Sequence, residues 1–150
     1  VAEALDEEVF GRVGMVAEVN DGIVRALLAG GYLPVISPVS RDGESEHGGA
    51  LNVNADDAAA AIAASMAADE LLLISDVQGV LVDGVAVSTM RGDEAVHAIE
   101  SGIATEGMAT KLRAALDALR RGVPAVRIGG LNALLDASFG TTLLATPQLA

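Results

Sequence analysis

The sequence predicts an α/β fold with a mainly parallel sheet, and three observations carry that expectation. Apolar runs of strand length alternate with longer stretches of helical periodicity. One run, Leu71-Leu72-Leu73-Ile74, is apolar at every position, as a strand covered on both faces must be. Hydrophobic residues make up 51% of the chain but aromatics only 2%, so the core must be built from Ala, Val, Leu and Ile. These side chains let helices approach a sheet closely. The 150 residues are expected to form a single α/β domain, large enough to bury a core without staples.

Taken in order, residues 13–19 read as a strand whose apolar alternation is broken by Glu18. Asn20 or Asp21 can cap a helix reaching about Ala29, with Ile23, Val24, Leu27 and Leu28 as its apolar stripe and Gly30-Gly31 as its end. Residues 32–37 are nearly all apolar and read as a buried strand. The polar, glycine-bearing stretch 40–49 reads as an exposed hairpin or loop. Asn54 can cap an alanine-rich helix reaching about Ala68, with Asp56 and Asp57 in its first turn, where the dipole favours anions.

The run 71–74 is the expected central parallel strand, ending at Ser75-Asp76. Residues 80–82 and 85–87 flank Asp83-Gly84, a two-residue hairpin signal. A helix is expected over 93–101 and a loop over 102–107. A long amphipathic helix follows over 108–121, burying Leu112, Ala115, Leu116 and Leu119, with Gly122 and Pro124 as its stop. A strand at 125–128, a short helix at 131–137 and a last strand at 142–145 complete the reading.

Composition narrows function. There is no cysteine, which excludes disulfides, thiolate zinc sites and cysteine nucleophiles and fits a reducing cytoplasm. A net charge of −12 without a basic run speaks against nucleic-acid binding. No apolar run is long enough to span a bilayer, and the start carries no basic signal-peptide region. The acids show no metal-ligand spacing, so no protein-built metal site is expected. The chain starts at Val1 rather than Met, as an excised or processed piece would.

Ligands of open α/β sheets bind beyond the carboxyl ends of strands, which points to the loops 40–57, 75–79 and 102–111. Neither a Walker A pattern nor a G-x-G-x-x-G is present. Lys111 stands out because the other eight basic residues are all arginine. Placed in the first turn of a helix behind Gly107-Met108, it could add a full positive charge to an anion-binding helix start. The plainer alternative is a solvated helix lysine. Asp56 could orient such a lysine, or serve only the helix dipole. Asn52 could bind a small polar substrate, or hold its own turn. Asp76 and Gly79 could approach a ribose or phosphate, or simply make a tight turn. Met108 could cover an adenine face, or belong to the core. His47 is assigned no role, His97 is expected as a surface partner of Asp93 or Glu94, and Ser88 has no nearby base for a hydrolase triad.

Several runs together resemble one family. Leu51-Asn52-Val53-Asn54-Ala55-Asp56 is similar to the Asn-x-Asn-Ala-Asp segment of acetylglutamate kinases. Leu73-Ile74-Ser75-Asp76-Val77-Gln78-Gly79-Val80-Leu81 resembles their nucleotide-binding strand and turn. Gly102-Ile103-Ala104-Thr105-Glu106-Gly107-Met108-Ala109-Thr110-Lys111 resembles their second nucleotide loop with its lysine. Gly31-Tyr32-Leu33-Pro34-Val35-Ile36 and Gly140-Thr141-Thr142 match as well, all in the family's order.

The resemblance implies a three-layer α/β/α sandwich of the amino acid kinase type, present here as its C-terminal, ATP-binding part. It implies ATP-dependent phosphorylation of the side-chain carboxylate of N-acetylglutamate in arginine biosynthesis, with Mg²⁺ arriving on ATP. Lys111 would then stabilise the transferring phosphoryl group, Asp56 would hold the catalytic lysines, and Asn52 would contact acetylglutamate. Asp76, Val77, Gln78, Gly79, Val80 and Leu81, with Ile103, Ala104, Thr105, Gly107 and Met108, would line the nucleotide site. The family's other lysine, its Gly-Gly phosphate loop and its substrate arginine have no counterpart in the first thirteen residues, so this piece alone is expected to be nearly inactive. A homo-oligomer is expected at full length, acting without nucleic acid or membrane. Two other readings stay open: a kinase of carrier-bound aminoadipate in lysine biosynthesis, and a nucleotide-binding module without catalysis.

Overall fold

The computed structural model describes residues 1–45, 49–104 and 106–146, and divides into two compact units, residues 1–66 and 67–150. The expectation for His47 lies outside the described residues, as does that for Thr105.

The first unit is built from short strands in antiparallel ribbons and from three helices. Strand β1 (Ala2–Ala4) pairs with β2 (Gly14–Val16) around the short helix α1 (Glu7–Phe10). Helix α2 (Gly22–Ala29) follows, with Asn20 Oδ1 accepting the Gly22 N–H at 3.2 Å. Strands β3 (Val39–Arg41) and β4 (Ala50–Asn52) form the second ribbon, flanking the stretch read as an exposed hairpin or loop, in which Asp42 is buried rather than exposed. Helix α3 (Ala55–Met66) closes the unit. Asn54 caps it as its sequence position suggests: its Oδ1 accepts the N–H groups of Asp56 and Asp57 at 2.9 and 3.1 Å. A small core gathers Ala2, Leu51 and Val53, with Val16 and Ala58 against it.

The expected buried strand at 32–37 does not form. Tyr32, Leu33 and Val35 are 67, 87 and 92% exposed, and the segment is irregular. Pro34 has no N–H to give a ladder, and no strand pairs with the segment among the described residues. An apolar run becomes a buried strand only where neighbours supply a ladder and cover both faces.

The second unit carries the main sheet, in the order β5-β9-β10-β8. Strand β5 (Glu70–Ile74) lies parallel to β9 (Ala125–Gly129), and β10 (Thr141–Leu144) lies antiparallel to β9 but parallel to β8 (Thr89–Arg91). The sheet is thus mainly parallel, as the sequence predicts. Between β5 and β8 stands the small hairpin of β6 (Leu81–Val82) and β7 (Val85–Ala86). Its two turn residues, Asp83 and Gly84, both have positive φ, 51° and 78°, which is the twist-matching geometry of two-residue hairpins.

Helices α4 (Gly92–Glu100) and α5 (Glu106–Arg120) pack on each other, on β8 and on β9 respectively. The buried stripe of α5 runs through Leu112, Ala115 and Leu119, as its periodicity predicts, joined by Ala114 and Ala118, while Leu116, expected with them, is only partly buried. The helix ends with Gly122 at φ 100°: the Gly122 N–H bonds the Leu119 carbonyl and the Val123 N–H bonds the Ala118 carbonyl, a Schellman stop.

The segment after β9 is a 3-10 turn, Leu131–Leu134, rather than a helix over 131–137. Buried Arg127 explains the difference. Its Nη1 donates to the carbonyls of Ala133, Asp136 and Phe139 at 2.9, 3.1 and 3.3 Å, while Nε and Nη2 engage Glu70 at 2.9 and 3.1 Å. Three carbonyls that converge on one guanidinium nitrogen do not lie parallel to one axis, as those of a continuing helix must.

Candidate nucleotide site

The strands β5 and β9 end side by side, with Ile74 opposite Gly129. The segment that follows β5 then leads to the hairpin. Residues alternate along it between two cavities. Val77, Gly79 and Leu81 line one of about 410 Å³. Ser75, Asp76 and Gln78 line another of about 340 Å³. Val80, 1% exposed, is anchored between them, with its N–H donating to Thr141 Oγ1 at 2.8 Å.

The far wall of the larger cavity comes from Ile103, Ala104 and Met108, and its rim from Asp83 and Gly84. Two loops singled out by motif thus meet on one cavity of mostly apolar lining. Such a lining is typical of small-molecule sites. The smaller cavity is completed by Gly130, Leu131, Asn132 and Phe139. It holds the polar side chains, and Ser75 Oγ donates to Asp76 Oδ1 at 3.1 Å. It sits at the carboxyl ends of two parallel strands, where such sheets receive ligands.

Helix α5 begins at Glu106, two residues earlier than the sequence suggests, so Lys111 lies in its second turn and is half-buried. Side chains on a helix lean toward its N-terminus, which carries the lysine stem back toward the first turn. Gly107 is exposed and lines neither cavity; Lys111 likewise lines neither.

Asn52 and Asp56 belong to the first unit. Asn52 is exposed at the end of β4, opposite Val39, with its N–H bonded to the Arg12 carbonyl at 2.9 Å. Asp56 is half-buried in the first turn of α3. The four residues from Asn52 to Ala55 therefore carry the chain from a strand end straight into a helix start.

Among the described residues, the carboxyls of Asp136 and Asp93 have lowered pKa values, the first chiefly through a backbone N–H and the second through a hydroxyl. Asp136 accepts the Ser138 N–H and Oγ at 2.8 and 2.7 Å, which holds its carboxyl below the ordinary range. Asp93 is lowered chiefly by its hydrogen bond with Thr146. Glu94 Oε2 accepts the Arg91 N–H, so both acids are engaged at the start of α4, and His97 is exposed on the next turn. No three His, Asp or Glu side chains gather as a metal cage among the described residues, and none of the described helices is long and apolar enough to cross a membrane.

Sequence reasoning did not assign a role to Asp83, Gly84, Asn132 or Thr141. The first two were visible as a turn, but their place at a cavity rim depends on how the hairpin folds over. Thr141 was visible only as part of a short Gly-Thr-Thr match.

The mainly parallel sheet, the helices on it and the cavities at its carboxyl edge define an α/β fold of the kind that receives ligands at its strand ends. The chain belongs to the amino acid kinase family: the family's model matches residues 2–130. It is 47% identical over 121 residues to an acetylglutamate kinase of Rubrobacter xylanophilus, a match spanning 81% of this chain and 46% of that protein. The crystal structure of smu.665 from Streptococcus mutans matches with a TM-score of 0.86 at 31% identity, over 97% of this chain and 56% of the other. A carbamate kinase from Giardia lamblia, at 18% identity and a TM-score of 0.73, covers 89% of this chain and 46% of its own, and supports the fold alone. The chain spans about half the length of the curated relatives it matches.

Proposed function

We propose that this chain supplies the ATP site of an acetylglutamate kinase. The observation that carries the reading is the convergence of Val77, Gly79 and Leu81 with Ile103, Ala104 and Met108 on one apolar cavity. The adenine ring occupies that cavity. Asp76 and Gln78, facing the neighbouring polar cavity, serve the ribose and phosphate side. The identity of the curated relatives favours acetylglutamate as the acceptor.

In this reading a side-chain carboxylate oxygen of N-acetylglutamate attacks the γ-phosphorus of ATP in line. The bond to the bridging oxygen breaks and ADP leaves. Little covalent work falls to the protein, so charge and position are its contribution. Lys111 stabilises the charge on the transferring group from the second turn of α5. The resemblance to acetylglutamate kinases supports a lysine-orienting role for Asp56 and a contact of Asn52 with the acetylglutamate amide. Mg²⁺ comes with ATP, held by phosphate oxygens and water.

Isothermal titration of Mg-ATP into the chain tests the reading. Binding is expected, with ADP and ATP both bound and Lys111→Ala weakening ATP by about 10–100-fold, the worth of one charge-assisted contact. ADP lacks the transferring phosphate and should lose much less. Heat indistinguishable from buffer for every nucleotide would sink the proposal.

A further inference from the structure

Thr141 is a polar residue with no exposed surface, at the first position of β10. Its hydroxyl is fully used. Oγ1 accepts the Val80 N–H at 2.8 Å and donates to the Val87 carbonyl at 2.5 Å. These partners lie 61 and 54 residues away in sequence. They are the two ends of the hairpin segment, and Val80 and Val87 also bond each other, Val87 N–H to Val80 carbonyl, at 3.0 Å.

The hydroxyl fits so closely that no side chain fits beside it. A Cβ on Gly79 would come within 2.7 Å of Thr141 Oγ1 and 3.3 Å of the Thr141 nitrogen. Gly79 is thus a glycine because the turn lies directly on Thr141. The strand itself is held independently: the Thr142 N–H bonds the Ser88 carbonyl at 2.9 Å, and β10 pairs with both β8 and β9. One hydroxyl on a fixed strand therefore seats the turn whose residues Gly79 and Leu81 line the larger cavity.

We infer that Thr141 is a positioning residue for nucleotide binding, acting through the Gly79-Val80 turn. This rests on the nucleotide reading of that cavity. Valine has the shape of threonine without the hydroxyl. In its place the Val80 N–H and the Val87 carbonyl both lose a buried partner, and the turn lifts from its seat. Serine keeps the hydroxyl and should keep the seat.

Mg-ATP titration and amide exchange on the 150-residue chain test this together. Thr141→Val is expected to weaken Mg-ATP by about tenfold or more, the equivalent of one to two net hydrogen bonds, and to speed exchange at the Val80 amide while β9 amides stay protected. Thr141→Ser is expected to bind as the unaltered chain does. Should the valine variant fail to fold, Thr141→Ala removes the same hydroxyl with no added bulk. Leu143→Ala, a buried change in the same strand that touches no turn hydrogen bond, separates positioning from general stability: it should lower Tm without weakening Mg-ATP. Equal affinity in the valine and unaltered chains, equal weakening by serine and valine, or equal weakening by Leu143→Ala would each overturn the role of Thr141. Absence of Mg-ATP binding by the unaltered chain would instead overturn the nucleotide reading beneath it.

Discussion

Helices α2 and α5 carry comparable apolar stripes, yet they end differently. In residues 67–150, α5 buries Leu112, Ala115, Ala118 and Leu119 beneath and beside a four-stranded sheet. In residues 1–66, α2 buries none of its residues, and Ile23, Leu27 and Leu28 stay 66, 37 and 48% exposed. The same unit leaves Leu33 and Val35 in water and lines an open cavity of about 460 Å³ with apolar side chains from α2, β2 and the 34–39 segment. A periodic pattern fixes which face of a helix is apolar. Whether that face is buried depends on what lies opposite, and only the second unit provides an extended sheet for it.

This contrast can be broken by substitution. A large effect is expected at Arg127, the buried cation of the second unit. Arg127→Met strips half-exposed Glu70 of its partner and takes the guanidinium donor from the Ala133 and Phe139 carbonyls, while the Asp136 carbonyl keeps the Phe139 N–H, at a cost of about 2–3 kcal/mol in denaturant unfolding. Its counterpart in the first unit is Arg25, whose ion pair with Asp21 at 2.7 Å is half in solvent. Arg25→Met should cost less than about 1 kcal/mol. Equal losses would mean that the two units are equally well held.

Next comes core against surface. Leu143→Ala, at 0% exposure, should lose about 3 kcal/mol, whereas Leu28→Ala should leave the unfolding midpoint nearly unchanged. A large loss at Leu28 would show that α2 is buried in solution.

The smallest effect is a pH dependence confined to the second unit. Asp136 has a folded pKa below its unfolded value of 3.8, because Ser138 bonds the carboxylate. Its stabilising contribution is therefore complete above about pH 3.8 and fades as pH falls through the lower folded value. Ser138→Ala removes the hydroxyl but keeps the backbone N–H, which is the larger cause, so it should flatten the acid limb of stability below that pH only in part and change little at neutrality. An unchanged acid limb would remove this role from the pair.

Much of the second unit was legible. The run at 71–74, the Asp83-Gly84 turn and the 3.6-residue stripe of α5 each state their structure locally, and each formed within two residues of its expected bounds. What stayed hidden was whatever needs a distant partner. Strand β8 is three residues long, Thr89–Arg91, and is a strand because β10 lies beside it. Residues 32–37 have a strand's composition without a strand's neighbours. The turn after 131 is set by a guanidinium in the preceding strand rather than by its own propensity. The candidate site divides in the same way. Motif resemblance found the residues of two loops, and their shared cavity appears only in three dimensions. Thr141 could not be read from composition, because a threonine at a strand start is ordinary until its two partners are known.

The pairing order of the main sheet also sets a timetable. As the chain leaves the ribosome, β5 finds no ladder partner until β9 is made, and β8 none until β10. The turn at Gly79-Val80 is synthesised early, but the hydroxyl that seats it comes 61 residues later. Such long-range closures are slow to form compared with local ones. The cavity lined by Gly79 and Leu81 thus depends on a strand made much later, and a growing chain cannot hold that turn in its final seat until β10 has emerged.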